Sequence, residues 1–211
     1  MNTKILLTQF EQALKDNNAE LIEKISALLE CKQTPQFNTV EILNREHKTI
    51  IIGKQEWTAQ NLFCPKLGFH YKNNPKNSEG GYGTLHTHYN IPSIQELLTD
   101  GWRVATDGDW QQLIDFVGDN AGKKLKSKDG WMDDGNGTDE FGFNALPAGS
   151  RDTDGSYSND RGDYTYFWSS SAYSSAYAWT RYFTYSMATV GRGYTNRSNG
   201  FSVRCVRDIM N

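Results

Sequence analysis

The 211-residue chain lacks most of the features that would tie it to metals, membranes or nucleic acids. Its three cysteines, Cys31, Cys64 and Cys205, match no zinc motif in their spacing, so reduced structural thiols are expected. No run reaches the roughly eighteen apolar residues that a membrane-spanning helix needs. A formal net charge of -3 provides none of the basic excess that is typical of nucleic-acid binders. These absences predict a protein that neither inserts into membranes nor binds nucleic acid.

The N-terminus also lacks the apolar core of a signal peptide, because Met1-Asn2-Thr3-Lys4 leads into a mixed polar and apolar stretch. The sequence therefore predicts synthesis in the cytoplasm. A role outside the cell would then require assembly into a virion or release by lysis.

The most unusual stretch runs from Tyr164 to Arg207 and contains no Asp, Glu, Lys, Gln, Pro, Leu or Ile. It holds seven of the eleven tyrosines, together with eight serines and five arginines. In antibody loops, Tyr gives broad contact at low entropic cost, Ser adapts its hydrogen bonds, and Arg anchors. The composition predicts a surface that binds a protein or a glycan.

Candidate contact residues in this tract carry hydroxyl, amide or guanidinium groups. They are Tyr173, Ser174, Tyr177, Thr180, Arg181, Tyr182, Thr184, Tyr185, Ser186, Arg192, Tyr194, Thr195, Asn196, Ser198 and Asn199. Because strand side chains alternate between faces, we expect about half of them to be displayed. In residues 178–185, one face should carry Thr180, Tyr182 and Thr184. The other should carry Arg181 and Tyr185, with Trp179 and Phe183 as scaffold.

Residues 1–35 form a predicted helical arm, because apolar side chains recur at three- and four-residue spacing from residue 3 to residue 31. Asp16-Asn17-Asn18 interrupts the pattern and predicts a turn between two helices. Two interpretations stay open. The arm packs against its own domain, or it is a homo-oligomerisation element, since leucines recur every seven residues at Leu7, Leu14, Leu21 and Leu28. Residues 31–37 are predicted to be a linker.

Residues 36–211 have the pattern of one α+β domain, rich in loops, with short antiparallel strands and two helices. Strands are predicted at residues 49–53, at 167–168, at 178–183 and at 201–206. Helices are predicted at residues 94–98 and in the segment that follows Thr106-Asp107, where either residue would serve as the N-cap. Beyond Gly118 almost no helical signal remains, so an irregular region is expected up to Tyr164.

Six short motifs occur in order along this domain. They are Trp57-Thr58-Ala59-Gln60-Asn61-Leu62, Gly101-Trp102-Arg103-Val104-Ala105-Thr106 with Asp109-Trp110, Gly142-Phe143-Asn144-Ala145-Leu146-Pro147-Ala148-Gly149, Trp168-Ser169-Ser170-Ser171, Ala178-Trp179 and Gly200-Phe201-Ser202-Val203-Arg204-Cys205-Val206-Arg207. Over about residues 40–208 they resemble the Fibrobacter succinogenes major paralogous domain family, a branch of the C-type-lectin-like fold. In such a fold we expect a rigid core built by Trp102, Trp110, Phe143, Trp168, Trp179 and Phe201.

The same fold serves the variable proteins of diversity-generating retroelements, whose diversified residues lie on C-terminal strands and loops. Codons rewritten at adenines of AAC-type triplets cannot encode Lys, Glu, Gln, Trp or Met, and the tract lacks the first three. The resemblance therefore implies a diversified receptor-binding face of a phage or prophage protein, with Trp179 and Met187 as invariant positions. The alternative is a glycan- or protein-binding module of fixed specificity.

A weaker alternative is an enzyme, because the formylglycine-generating oxidases also resemble the chain, at residues 103–110 and 200–205. Those enzymes depend on a close pair of reactive cysteines, and Cys205 has no cysteine neighbour in its motif. No catalysis is therefore expected. The family's usual Cys-Pro pair before Gly-Trp is replaced here by Leu98-Thr99-Asp100, so the resemblance implies that Cys205 lacks its usual disulfide partner.

Two clusters have the residue types of metal ligands. An acidic loop contains Asp129, Asp133, Asp134, Asp139 and Glu140, whose oxygens suit calcium, although the spacing does not fit an EF-hand and loops collect such residues for turns. His86 and His88 would share one strand face, but no third ligand lies at a recognisable spacing, so both, like His70, are expected to be structural or surface residues. The sequence predicts no cofactor, with calcium at the acidic loop as the alternative.

Overall fold

In the computed structural model, the described part of the protein comprises residues 3–25 and 35–209, without the side chains of residues 3–7. The chain divides into two compact units, Met1–Pro35 and Gln36–Asn211. Several residues of the predictions lie outside the described part: Leu28 and the side chain of Leu7 from the leucine repeat, and residues 31–34 of the predicted linker, which include Cys31. Among the described residues, no helix combines the length and the apolar character that crossing a bilayer would require.

The N-terminal unit contains helix α1 (Thr3–Lys15) and helix α2, whose described residues are 19–25. The turn predicted at residues 16–18 separates them, and the Asn18 side chain accepts a hydrogen bond from the backbone N–H of Leu21. Ala13 and Ile25 are buried within this unit. Leu14 and Leu21, two of the regularly spaced leucines, are 52% and 40% exposed, so they do not build this small core.

The second unit contains ten described strands of two to nine residues. They are β1 (Phe37–Ile42), β2 (Arg45–Ile52), β3 (Gln55–Thr58), β4 (His86–Thr87), β5 (Arg103–Val104), β6 (Tyr164–Ala172), β7 (Tyr177–Thr184), β8 (Gly191–Asn196), β9 (Gly200–Phe201) and β10 (Cys205–Asp208). They form a five-stranded antiparallel sheet in the order β1-β2-β3-β10-β5, a pair β4-β9, and a three-stranded antiparallel sheet β6-β7-β8. The mixed α+β class with antiparallel strands is as predicted.

The strand predicted at residues 201–206 is wrong as one element, because β9 pairs with β4 whereas β10 lies between β3 and β5. Strand β8 was not among the predicted strands. Its sequence, GRGYTN, holds two glycines, and pairing with β7 stabilises it.

The helices of this unit are α3 (Ile91–Glu96), α4 (Asp107–Val117) and α5 (Ala121–Leu125). Helix α4 begins with a capping box, in which Thr106 accepts from the backbone N–H of Asp109 and the Asp109 side chain accepts from the backbone of Thr106. The expectation of only two helices is wrong, since α5 lies in the predicted irregular region. A five-residue helix has little stability of its own, and this one rests on burial of Leu125 and on close contact of Gly122 with the Thr189 backbone.

Aromatic rings fill the core between α4 and the sheets. Trp57 lies 5.0 Å from Trp110, and Trp110 lies 5.2 Å from Phe167 and 5.7 Å from Phe143, measured between ring centroids. All four rings are fully buried. Of the predicted core residues, five are buried; Trp179, in the central strand β7 of the sheet β6-β7-β8, is the exception and is half-buried.

A buried guanidinium joins this core to the loop that precedes Ala145. Arg204, which has no exposed surface, donates to the backbone oxygens of Thr58, Phe143 and Asn144 and to the side-chain oxygen of Asn61. Burial lowers the pKa of Arg204. The four acceptors compensate in part for the water that the cation loses on folding.

Candidate functional site

The Tyr-rich tract folds into the sheet β6-β7-β8. Across β7 and β8, Trp179 lies opposite Tyr194 and Arg181 lies opposite Arg192. Side chains alternate along each strand, so these four residues belong to one face of the sheet, whereas Thr180, Tyr182 and Thr184 belong to the other. The predicted alternation within β7 is present, and the two faces carry different surfaces.

The first face carries an aromatic patch, which consists of Tyr173, Tyr177, Trp179, Arg192 and Tyr194. Tyr173 stacks on Tyr194 with ring centroids 4.0 Å apart and an angle of 6° between the planes. Both rings meet Trp179 nearly edge-on, at 5.0 Å and 5.9 Å. The three tyrosines are 49%, 43% and 53% exposed, so the patch is a solvent-facing surface.

Arg192 stacks on the Trp179 ring of this patch and is held there by Asp107, a residue outside the Tyr-rich tract. Its guanidinium carbon lies 3.5 Å from the centre of the Trp179 ring, and its Nη2 donates to Asp107 Oδ2 at 2.9 Å. The other carboxylate oxygen of Asp107, Oδ1, accepts from Arg181 at 2.7 Å. Burial opposes ionisation of Asp107, but hydrogen bonds from Arg192 and Arg181 outweigh it and lower the pKa of this carboxyl. The first residue of α4 therefore fixes the cation of the patch.

The second face borders a cleft of about 500 Å³ between the sheet and the loop at residues 150–160. We call it the tyrosine cleft. The residues that line it are Ser150, Asp152, Ser158, Asp160, Tyr164, Tyr166, Thr180, Tyr182, Gly193, Tyr194, Thr195, Asn199 and Phe201. Tyr164 and Tyr166 stack nearly parallel, with centroids 5.8 Å apart, and Tyr182 lies 6.0 Å beyond Tyr166. The volume is in the range of small-molecule sites.

Two glycines of β8 make room for this row of rings. A Cβ added at Gly191 would lie 2.1 Å from the Tyr182 ring, so that ring covers the glycine. A Cβ at Gly193 would meet Tyr182 only at 3.8 Å, an ordinary contact, and would point into the cleft. The glycines in GRGYTN thus open the second face of the sheet.

Three of the predicted contact residues are buried, and of these only Thr180 borders the tyrosine cleft. Thr180, Arg181 and Thr184 are 3%, 2% and 4% exposed. Arg181 lies under the N-terminus of α4, where Asp107 and Gln111 accept its hydrogen bonds. Sequence alternation could not reveal this cover, because α4 lies more than 60 residues earlier in the chain.

The other predicted contact residues are exposed or half-buried, and they fall into three groups. Tyr173, Tyr177, Arg192 and Tyr194 form most of the aromatic patch, while Tyr182, Thr195 and Asn199 line the tyrosine cleft. The remaining ones lie in turns or at strand ends: Ser174, Tyr185, Ser186, Asn196 and Ser198. Several of these already serve local structure, since Ser174 accepts from Tyr177 N and Asn196 accepts from Ser198 N.

Sequence reasoning missed several residues of both surfaces. Trp179 was interpreted as scaffold, yet it is the centre of the aromatic patch. Tyr164 and Tyr166 belong to the Tyr-rich tract but were not among the candidates, and period-two alternation places them on the strand face of Trp168, which was predicted to be core. Asp152 and Asp160 carried no signal, since they come from a loop rich in turn residues.

Both cysteines in the described part of the chain and three of the four histidines are buried. Burial raises the pKa of the Cys205 thiol to about 12, and Cys64 is also buried. His86 has a pKa lowered to about 4, mainly by burial, and lies between Thr84 Oγ1 and the backbone oxygen of Leu67. His88 is also buried, with its pKa lowered to about 4, and contacts the Ser169 backbone oxygen and the Arg197 guanidinium. His70, which is half-buried, contacts the Ser78 hydroxyl.

In the acidic loop, Asp139 is the only half-buried carboxylate; Asp129, Asp133, Asp134 and Glu140 are exposed. Burial raises the pKa of Asp139 to about 6, although it accepts a hydrogen bond from Asn144 N. Throughout residues 3–25 and 35–209, no three His, Cys, Asp or Glu side chains come close enough together to hold a metal ion.

Comparison with known proteins gives one result. The Fibrobacter succinogenes major domain matches residues 50–207, about three quarters of the chain. The matched range contains α3 to α5 and every strand from β3 to β9, including both surfaces of β6-β7-β8. No curated protein and no solved structure matches the chain. The chain therefore belongs to the Fibrobacter succinogenes major domain family.

Proposed function

We propose that this protein is a non-catalytic ligand-binding protein and that the aromatic patch is its contact surface for a protein or a glycan on a cell or particle surface. The observation that carries the proposal is a Trp179–Arg192 stack surrounded by three tyrosines, each about half exposed. Folding gains little from rings that remain in water, so a contiguous set of them favours a role in binding.

The composition and rigidity of the patch support this role. Trp, Tyr and Arg are the residues most enriched among those that dominate binding energy in interfaces. Here the rings already contact one another, and Asp107 already orients Arg192. Binding would therefore immobilise few additional side-chain rotors, which lowers the entropic cost of association.

We further propose that residues 36–211 have the C-type-lectin-like fold. The strand arrangement supports it: β10, the last strand, lies between β3 and β5, so the ends of the unit belong to one sheet. The separate sheet β6-β7-β8 then projects the binding surface. A crystal structure in which β6-β7-β8 pairs differently would contradict this proposal.

The non-catalytic part of the proposal rests on the thiols. A cysteine nucleophile works as an accessible thiolate, whereas Cys205 has no exposed surface and a raised pKa. Oxidation of a thiol-containing peptide by the purified protein, lost in Cys205→Ser, would contradict it.

Diversification by a retroelement is a further part of the proposal, and exposure supports it: among the candidate residues only Thr180, Arg181 and Thr184 are buried. The exposed ones could vary without loss of the core. Sequencing the flanks of the gene tests the idea. A reverse transcriptase gene and a near-copy of the segment for Trp168 to Arg207, with mismatches confined to adenines, would support diversification. Absence of both would leave a module of fixed specificity.

The binding role itself can be tested with Tyr173→Ser. Labelled protein would be applied to a glycan array and to a panel of intact bacterial cells, and the Kd measured on every positive target. We expect the variant to weaken binding about 30-fold or more, the effect of losing a dominant contact.

The matched control is Phe37→Ser, which removes an aromatic ring of similar exposure, 47%, from the edge strand β1. It should leave the Kd unchanged. If Tyr173→Ser and Phe37→Ser bind equally well and both remain folded, the patch is not the contact surface.

A further inference from the structure

We infer that the tyrosine cleft is a second binding site, separate from the aromatic patch, and that its ligand is an organic cation: an ammonium group on a compact apolar or hydroxylated carbon frame. The cleft and the patch lie on opposite faces of β6-β7-β8, and Tyr194 is the one described residue that contributes to both. The inference rests on the charge, the rings and the size of the cleft, independently of the proposed function of the patch.

The charge of the cleft is of one sign. Asp152 and Asp160 line it, and no Lys, Arg or His is among the described residues that do so. The two arginines of the adjacent loop contact other rings: the guanidinium carbon of Arg151 lies 4.1 Å from the centre of Phe69, and that of Arg161 lies 4.1 Å from the centre of Tyr82. Neither of these rings lines the cleft. A cation in the cleft would therefore meet two carboxylates.

Both carboxylates keep acceptor capacity for a ligand. Asp160 accepts from the backbone N–H and the hydroxyl of Ser150, at 3.0 Å and 2.6 Å. Asp152 accepts from the hydroxyl of Ser158 at 2.9 Å and is otherwise exposed. Since an ionised carboxylate offers about four lone-pair positions, each can still accept from an N–H or O–H group of a ligand.

The rings supply the second part of the recognition. Tyr164, Tyr166 and Tyr182 follow one another along the cleft, and within the described part of the chain their hydroxyls make no hydrogen bond to protein. Aromatic faces attract cations through the ring quadrupole, most strongly where water is excluded. Free hydroxyls at the ring edges can bind the polar groups of the same ligand.

The local field agrees with a cationic ligand. Burial raises the pKa of Tyr166 to about 12, and the nearby Asp160 carboxylate contributes to the rise. Burial also raises the pKa of Asp160, despite the two hydrogen bonds from Ser150. A cation would relieve the burial of negative charge, whereas an anionic ligand would increase it. A volume of about 500 Å³ accommodates a ligand from the size of choline to that of an amino sugar.

The test uses two probes of the same shape and different charge, choline and its uncharged carbon isostere dimethylbutanol. Titration of the full chain, monitored by calorimetry or NMR, should give a Kd for choline at least about tenfold below that of the isostere. Such a difference is the size expected for a cation–π contact with a partly desolvated ring. Equal Kd values, or no binding of choline at high millimolar concentration, would overturn the inference.

Variants locate the site. Asp152 is exposed, so the Asp152→Asn variant should fold, and it should weaken choline binding about threefold or more. Asp154→Asn, an exposed carboxylate of the same loop that does not line the cleft, is the matched control and should have no effect. Tyr182→Leu should reduce binding about tenfold, whereas Tyr182→Phe, which keeps the ring, should retain it. Choline binding that is insensitive to both Asp152→Asn and Tyr182→Leu would place it elsewhere and overturn the inference.

The two sites can fail independently. Tyr173→Ser should weaken binding to the surface target and leave choline binding intact, because Tyr173 does not line the cleft. Asp152→Asn should do the reverse.

Discussion

Asp107→Asn should destabilise the protein far more than an ordinary substitution at the start of a helix. The carboxylate of Asp107 is the acidic partner of two cations, the buried Arg181 and the half-exposed Arg192. Asparagine has nearly the same shape but no charge, and its amide N–H group would face a guanidinium. The substitution therefore isolates the ionic contribution from packing.

The magnitude follows from the two pairs. Removing one partner of a buried ion pair costs about 3–5 kcal/mol, but Arg181 would keep acceptors on Gln111 and on the backbone of Asp107. The exposed pair with Arg192 contributes about 0.2–1 kcal/mol. Loss of a negative charge at the N-terminus of α4 adds about 0.3–1 kcal/mol. We expect a decrease of about 2–4 kcal/mol in the free energy of unfolding, and a Tm lower by roughly 5–15 °C.

Urea unfolding at neutral pH measures this difference, with Asp115→Asn as the control. Asp115 is an exposed carboxylate on the same helix; it accepts a hydrogen bond from Gln111 and has only a minor Coulomb interaction with Arg181, so its loss should cost less than about 0.5 kcal/mol. If Asp107→Asn costs no more than Asp115→Asn, the ionic reasoning is refuted.

The pH dependence gives an independent check. The pKa of Asp107 is lower in the folded protein, so its contribution is present above the unfolded-state pKa of about 3.9 and is lost as the pH falls through the folded-state value. The difference between Asp107→Asn and the wild type should therefore shrink at pH 3. A difference that does not shrink would show that the carboxylate acts through something other than its charge.

Three further predictions concern the core and the sheet. Arg204→Met should lower the free energy of unfolding by about 3–5 kcal/mol in urea, because it leaves three backbone oxygens and an amide oxygen buried without a donor; a loss below about 1 kcal/mol would contradict the role of this network. Gly191→Ala should lower the free energy of unfolding by about 1–3 kcal/mol, since the new Cβ would lie 2.1 Å from the Tyr182 ring. Gly193→Ala, whose Cβ would make no contact closer than 3.7 Å, should be tolerated. Equal Tm values for the two variants would contradict this prediction. For His86, whose pKa is lowered to about 4, the unfolded state binds more protons between about pH 4 and 6.5, so stability should rise with pH in that window, by up to about 3 kcal/mol. The rise should be smaller in His86→Gln, and an unchanged slope would show that His86 is not responsible.

Local structure was predictable from the sequence where it depends on residues that are close together in the chain. Thr106 was one of two expected N-caps, and it forms the capping box of α4 with Asp109. The turn at residues 16–18 and the period-two alternation of β7 were likewise predicted. In each case the determining contacts lie within a few residues, so spacing alone carries the information.

Burial could not be predicted in the same way, because it depends on what covers a residue. Arg181 and Arg192 are the same residue type and lie opposite each other across β7 and β8, yet Arg181 is 2% exposed and Arg192 lies on the surface. The N-terminus of α4 covers the first and leaves the second beside Trp179. For the same reason, Trp179 was predicted to be scaffold but lies at the centre of a surface.

The sequence by itself determined the composition of the Tyr-rich tract, the class of the fold and the family, since these follow from residue types and ordered motifs. Only the tertiary structure decided that the tract presents two surfaces, an aromatic patch on one face and an acidic cleft on the other. The cleft exists because the loop with Asp152 and Asp160 lies against rings from β6 and β7, across the opening that Gly191 and Gly193 leave in β8. Such a juxtaposition of separate segments is a property of packing, and no local pattern encodes it.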